Sequence, residues 1–282
     1  MKIGIGTVQW GKIYGISNYS GIPSDDEIEK ILNYAKNNNI SFLDTASVYG
    51  NSEKRIGKLA KGNFKITTKI NLLSNKNSIK IELKKSINNL KASSVYACLF
   101  HDIKDVLFNS TNWDELKLEK ERGNVTKIGF SLYNTDELEE LLERGFIPDI
   151  VQLPYSILDR KFEPFFGRLR NLGTEIHVRS VFLQGLYFFN VDKLSDYFKP
   201  IKKNLIFINK IAKDLNIDLL DVLIQFVLFN NMIDKVIFGV ESLKQLKQIK
   251  KSSENKNLYN EIYRSVKDIN VENKEILNPS NW

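Results

Sequence analysis

Eight short runs rich in β-branched and aromatic residues recur along the chain, separated by segments of helical character. This alternation constrains the fold more than any single motif. The runs are Lys2 to Ile5, Phe42 to Asp44, Lys65 to Lys69, Tyr96 to Phe100, Lys127 to Ser131, Ile150 to Leu153, Glu175 to Arg179 and Lys235 to Phe238. Parallel strands cannot be joined by a tight turn; each pair needs a crossover of about a dozen residues or more, usually a helix. Eight such units in 282 residues predict an α/β fold, a (β/α)8 TIM barrel of eight parallel strands.

The segments between the runs carry helix boundaries of their own. "SDDEIEKILNYAKNNN" opens on a serine and acids suited to a helix N-terminus and closes in asparagines. "TDELEELLERG" and "FEPFFGRLRNLG" close on Gly145 and Gly173, as helix C-termini often do. A doubly wound sheet is the competing architecture, but its dinucleotide fingerprint fails. In "GIGTVQ", Gly4 and Gly6 are followed by Gln9 where a third glycine belongs. The long segment after the seventh run predicts extra loops or helices on the catalytic face, and the residues over about 253–282 an additional helix and tail. With no linker or low-complexity stretch, a single domain over 1–282 is expected.

Charge and rare residues narrow the function. The net charge of +7 comes from lysines scattered over nearly every predicted helix, so no concentrated basic arm marks a nucleic-acid binder. Cys98 is the only cysteine, which excludes an intramolecular disulfide and favours a reducing, cytoplasmic setting. His101 and His177 are the only histidines, too few for a dedicated soft-metal site, and no metal is expected. "MKIGIGTVQWG" lacks the pattern of a signal peptide. "LLDVLIQFVLFNN" is interrupted by Asp221 and Gln225 and is too short for a membrane span; it reads as a buried helix.

In a barrel, chemistry collects at the carboxyl ends of the strands. There "SFLDTASVYGNSEKRIG" places Asp44 at the end of the second run and Tyr49 in the following loop, while Lys69 ends the third run and His101 follows the fourth. Each alone has an ordinary use: turn residue, packing ring, solvated strand end, loop histidine. Together, at matching strand ends, they form a pattern. "DTASVYGNSE", with "TTK", "FHD", "IGFS", "VQLPYS" and "VRSVFLQGL" in order, resembles the aldo-keto reductase family over nearly the whole chain. The resemblance implies Asp44, Tyr49, Lys69 and His101 as a catalytic tetrad and hydride transfer between a nicotinamide and a small-molecule carbonyl.

The residue types suit that chemistry. Reducing a carbonyl requires a proton on oxygen, and a free tyrosine, with a pKa of about 10, holds its proton too tightly to be ideal near neutrality. Lys69 would stabilise the tyrosinate, Asp44 would hold Lys69 charged and oriented, and an N–H of His101 would orient the substrate oxygen. Ser52 and Glu53 would cap the next helix.

The same resemblance implies the cofactor site. Ser131 and Gln152 would hold the carboxamide. Arg179, where many members carry a stacking aromatic ring, could stack through its guanidinium plane. Ser180, Phe182 and Gln184 would line the pyrophosphate. In "GVESLKQLKQ", Gly239, Val240, Ser242, Lys244, Gln245 and Gln248 would take the rest, with Ser242 and Gln245 spaced as a capping box. Leu132 departs from the asparagine common after the strand-end serine. NADPH is the expected cofactor, with NADH usable. Arg179 and the polar turn "GKIYGISNYSG" suggest a sugar derivative, and Trp10, Tyr155 and Tyr187 are candidates for either the substrate pocket or the core. Two alternatives share the fold: a Schiff-base aldolase using Lys69, and a non-enzymatic nicotinamide-binding sensor or subunit.

Overall fold

The computed structural model describes residues 1–16, 18, 20–61, 64–73, 77–278 and 281–282. All eight expected strands form, each beginning and ending within two residues of its expected bounds: β1 Ile3–Gly6, β2 Phe42–Asp44, β3 Lys65–Ile70, β4 Val95–Phe100, β5 Val125–Ser131, β6 Ile150–Pro154, β7 Glu175–Arg179 and β8 Lys235–Gly239. They pair in chain order, all parallel, and β1 closes on β8 to complete the barrel. The largest shift is at β5. It starts at Val125 because that residue already pairs with Val95 of β4.

Helices cover the strands. They are α1 Asp25–Asn37, α2 Ser52–Leu59, α3 Ile79–Leu90, α4 Lys104–Leu107, α5 Thr111–Glu121, α6 Thr135–Glu143, α7 Phe166–Asn171, α8 Lys199–Asp214, α9 Leu219–Leu228, α10 Leu243–Ser252 and α11 Tyr259–Val266. Ser24 caps α1 by accepting from the Glu27 amide at 3.2 Å. Gly145 and Gly173, after α6 and α7, both adopt left-handed φ (80° and 76°), which glycine does without steric cost. The expected long connection after β7 holds short 3-10 turns followed by α8 and α9. The apolar stretch becomes α9, buried from Val222 to Leu228. Among the described residues no helix is long and apolar enough to cross a membrane. α11 follows α10 and sets Tyr259 and Tyr263 against Phe226 of α9.

The period-2 alternation of the strands decides what the barrel interior holds. Leu43 joins the core under the helices, whereas Phe42 turns inward, its ring edge-on to those of Tyr96 and His177. Inward residues near the amino end of the barrel form a polar plug: Glu175 accepts from Tyr96 and Lys127 and pairs with His177 at 3.1 Å. These carboxylate bonds hold Glu175 down at about 2 against the opposing effect of burial. Carried to the other end, the same parity aligns Gly6, Asp44, Ser131, Arg179 and Gly239, the last residues of five strands, with His101 one position beyond β4.

Asn51, not Ser52, holds the N-cap position of α2, while Glu53 lies in the first turn, where an acid suits the helix dipole as expected. Ser52 instead donates to Thr7 at the end of β1, and the buried Glu53 accepts from Thr68 of β3 at 2.7 Å and from Asn89 of α3. Both tie α2 to the barrel. Trp10, Tyr155 and Tyr187 resolve as core. Trp10 donates to the Val240 carbonyl, Tyr155 stacks on Phe226 and bonds Glu163, and the Tyr187 hydroxyl bonds Ser156 and the Leu158 amide.

Candidate active site

A cavity of about 750 Å³, within the range of small-molecule sites, opens at the carboxyl ends of the strands. Asp44, Tyr49 and His101 line it, and Lys69 lies directly beneath. The Lys69 ammonium is buried, 2.7 Å from Asp44 Oδ2 and 3.0 Å from the Thr45 carbonyl. It sits 5.1 Å from the centre of the Tyr49 ring. Gln152 takes the other carboxylate oxygen, its Nε2 donating to Asp44 Oδ1 at 2.6 Å. A buried ion pair persists only when its geometry and remaining hydrogen bonds offset desolvation, and here both carboxylate oxygens are engaged.

The loop carrying Tyr49 is fixed by backbone packing. Ser47 donates to the Lys69 carbonyl, and the Tyr49 amide to Ala46. Gly11 and Gly50 lie face to face: a Cβ at Gly11 would stand 1.8 Å from the Tyr49 carbonyl oxygen, and one at Gly50, whose φ is +59°, 2.3 Å from the Gly11 oxygen. Only glycines let these two loops meet.

Burial governs the protonation states. It drives the Tyr49 phenol far above its ordinary value, with Asp44 reinforcing and Arg179 opposing. It also lowers Lys69, against the pull of Asp44. His101 falls to about 3, through burial first and then the charges of Lys69, Arg179 and Lys12, so its imidazole is neutral near pH 7. Because its folded pKa lies below its unfolded value, the unfolded chain takes up the proton first, and stability falls with pH between about 6.5 and 3. His101→Gln is therefore expected to flatten part of the decline in thermal midpoint across that window. Parallel declines in both proteins would show that His101 is not a buried neutral group.

The expected cofactor residues divide by position. Ser131, Arg179, Ser180, Phe182, Gln184, Gly239, Gln245 and Gln248 line the cavity. Gln152 lies beneath it, paired in register with Ser131, and Val240 is buried with its carbonyl on Trp10. Ser242 caps α10, accepting from the Gln245 amide, while Gln245 Oε1 accepts from the Glu241 amide one residue earlier than a capping box requires. Lys244 faces a separate groove between α1 and α10. In "GKIYGISNYSG", Tyr14 and Gly15 reach the cavity, whereas Ser17 and Tyr19 lie outside the described residues.

Gln9, Tyr133 and Asp218 also line the cavity and escaped the sequence reading, as Glu241, which also lines it, did not. For Gln9 and Tyr133 the signal was present, since each closely follows a strand end. Two buried amide oxygens, Gln9 Oε1 and Gln152 Oε1, have no hydrogen-bond partner. A carboxylate only accepts, so the Gln152 nitrogen must face Asp44 and its oxygen is left unpartnered, on the residue in register with Ser131. A hydroxyl on one strand and an unpartnered amide oxygen on its neighbour fit a carboxamide, which both donates and accepts. The residues present are thus compatible with a nicotinamide dinucleotide. A Schiff-base nucleophile is a poorer fit, because the Lys69 amine is engaged by Asp44 and Thr45 below the cavity floor.

A closed parallel barrel with a buried lysine–carboxylate pair, a phenol and a neutral imidazole at one mouth has the arrangement of an enzyme of carbonyl chemistry. The model of the aldo/keto reductase family matches residues 2–271, and the chain belongs to that family, oxidoreductases of carbonyl and alcohol groups. No curated protein matches the sequence. Among solved structures, the chain is similar to the holo form of aldo-keto reductase AKR11C1 from Bacillus halodurans, with 20% identity, a TM-score of 0.75 and coverage of 94% of this chain and 91% of that one. It is also similar to the glycerol dehydrogenase AKR11B4 from Gluconobacter oxydans, with 18% identity, a TM-score of 0.76 and coverage of 95% and 90%. At such identities the likeness is one of fold.

Proposed function

We propose that this chain is an NAD(P)H-dependent cytoplasmic reductase that interconverts a small aldehyde or ketone and an alcohol, with Asp44, Tyr49, Lys69 and His101 as its catalytic group. The observation that carries this reading is the buried Lys69–Asp44 pair, 2.7 Å apart, beneath the Tyr49 ring. When bound, the reduced nicotinamide supplies a hydride. Tyr49, kept protonated by burial, gives its proton to the carbonyl oxygen. Lys69 steadies the phenolate left behind, and Asp44, held by Gln152, keeps the ammonium in place. Neutral His101 orients the substrate oxygen through a ring N–H. Ser131 and Gln152 would hold the carboxamide, Arg179 would lie against the ring, and Ser180, Phe182 and Gln184 would meet the pyrophosphate. The loop from Gly239 to Gln248 would take the adenosine end, through Gly239, Gln245 and Gln248 from within the cavity. A panel of aldehydes and ketones, with cofactor oxidation followed by absorbance, tests the reading. Cofactor binding without turnover on any of them would favour a nicotinamide-binding sensor.

NADPH is expected to be preferred only modestly, with NADH usable. Gln245 is occupied at the Glu241 amide, and Lys244, Lys247 and Lys251 line the α1–α10 groove that Gln248 shares with the cavity. Glu27 opposes a phosphate there, since its carboxylate already accepts from the Leu243 amide at 2.7 Å. A charge-assisted hydrogen bond contributes about 1.5–3 kcal/mol. Flexible lysines facing an acid should therefore give about one to two decades less discrimination than a fixed arginine clamp. Titration of both cofactors against tryptophan fluorescence checks this, and strict exclusivity for either one would contradict it.

A further inference from the structure

Arg179 is a cation that the tetrad does not require. It ends β7 on the inward face and projects into the same mouth. Its Nη1 donates to Ser180 Oγ at 3.2 Å, its Nη2 to the Leu132 carbonyl at 3.1 Å, and its guanidinium lies 4.3 Å from the centre of the Tyr133 ring. Those contacts fix its plane and leave Nε and the second hydrogen of each terminal nitrogen available. Among the described residues no carboxylate lies within ion-pair distance of it. Asp44 is committed to Lys69, and Asp159, the acid its charge reaches, is held by Lys161 at 3.4 Å.

The placement costs energy as it stands. Arg179 bears on Tyr49, Lys69 and His101 alike and opposes the positive charge of Lys69. Two cations at the strand ends, Lys69 and Arg179, face one carboxylate there, Asp44, and Lys12 adds a further positive charge felt by His101, so the reacting centre is net positive while His101 is neutral. A negative charge on the substrate would offset it. A planar guanidinium with free N–H groups matches a carboxylate in shape as well as in charge.

We infer that the substrate is a carbonyl compound carrying a carboxylate, which Arg179 binds while the carbonyl oxygen meets Tyr49 and His101. This rests on the reductase reading and narrows its substrate class. The test compares matched pairs: succinic semialdehyde with its methyl ester, and glucuronate with glucose. In the wild type, kcat/KM for the acid should exceed that for its neutral partner by about 10- to 100-fold, the range of a charge-assisted hydrogen bond. In Arg179→Met the ratio should fall close to unity, and Arg179→Lys should retain part of it. Because cofactor effects act on both members of a pair, the ratio isolates the substrate contact. A wild-type ratio near unity, or a preference that survives Arg179→Met, overturns the inference. Turnover of neutral carbonyls that needs Tyr49 but shows no preference for acids would leave the reductase reading standing. If nothing is turned over, calorimetric titration with succinate decides: binding that weakens in Arg179→Met and partly recovers in Arg179→Lys supports the carboxylate site, and equal or absent binding refutes it.

Discussion

Tyr49→Phe is expected to lower turnover by about 100-fold or more while leaving cofactor affinity nearly unchanged. Only the hydroxyl is lost. Tyr49 is the phenol that lies over the buried Lys69 ammonium at the cavity floor, and neither His101 nor Lys69 can replace it. His101, at about 3, holds no spare proton near neutrality. The Lys69 ammonium lies below the floor, bonded to Asp44 and Thr45. Burial keeps the phenol protonated throughout the ordinary range, so carbonyl reduction should show no alkaline-limb loss arising from Tyr49. Single-turnover reduction by stopped flow, beside fluorescence titration of the cofactor, separates chemistry from binding. Near-normal single-turnover rates in the variant would remove Tyr49 from the mechanism.

Much of this site was legible in the sequence because a barrel strand encodes its inner face by parity. Once Asp44, Ser131 and Arg179 are strand ends, the same period-2 rule aims each at the axis. The family resemblance supplied Tyr49, a loop residue that parity cannot place. What stayed hidden depended on distant contacts. Nothing local indicated that Gln152, 108 residues from Asp44, would donate to its carboxylate, or that Glu53, in the first turn of its own helix, would also reach Thr68 and Asn89. Lys244 and Gln245 are adjacent in sequence, yet α10 turns one to the outer groove and the other to the cavity. The strained backbone after β7 was equally hidden: Ser180, Leu183 and Gln184 all take left-handed φ of 61°, 43° and 52°. Such strain persists only where the surrounding structure imposes it, and here Phe182, Gln184, Gly185 and Phe188 from this segment wall the cavity.

Lys69→Met should abolish activity and destabilise the fold, and the two losses have different causes. Removing the ammonium leaves Asp44 buried with Gln152 as its side-chain partner, and breaking one side of a buried pair typically costs about 3–5 kcal/mol. The catalytic loss comes from Tyr49. Asp44 already pushes the phenol upward, and without Lys69 nothing beneath the ring stabilises the phenolate. The effect should be sharpest for alcohol oxidation, where the phenolate must accept a proton: any residual rate should rise only at higher pH than in the wild type. The paired variant Lys69→Met with Asp44→Asn separates the two causes. It removes both charges, so thermal stability should recover substantially, while activity should not, because the phenolate still lacks its cation. Activity returning together with stability would mean that Lys69 serves the fold alone and that proton transfer from Tyr49 proceeds without it.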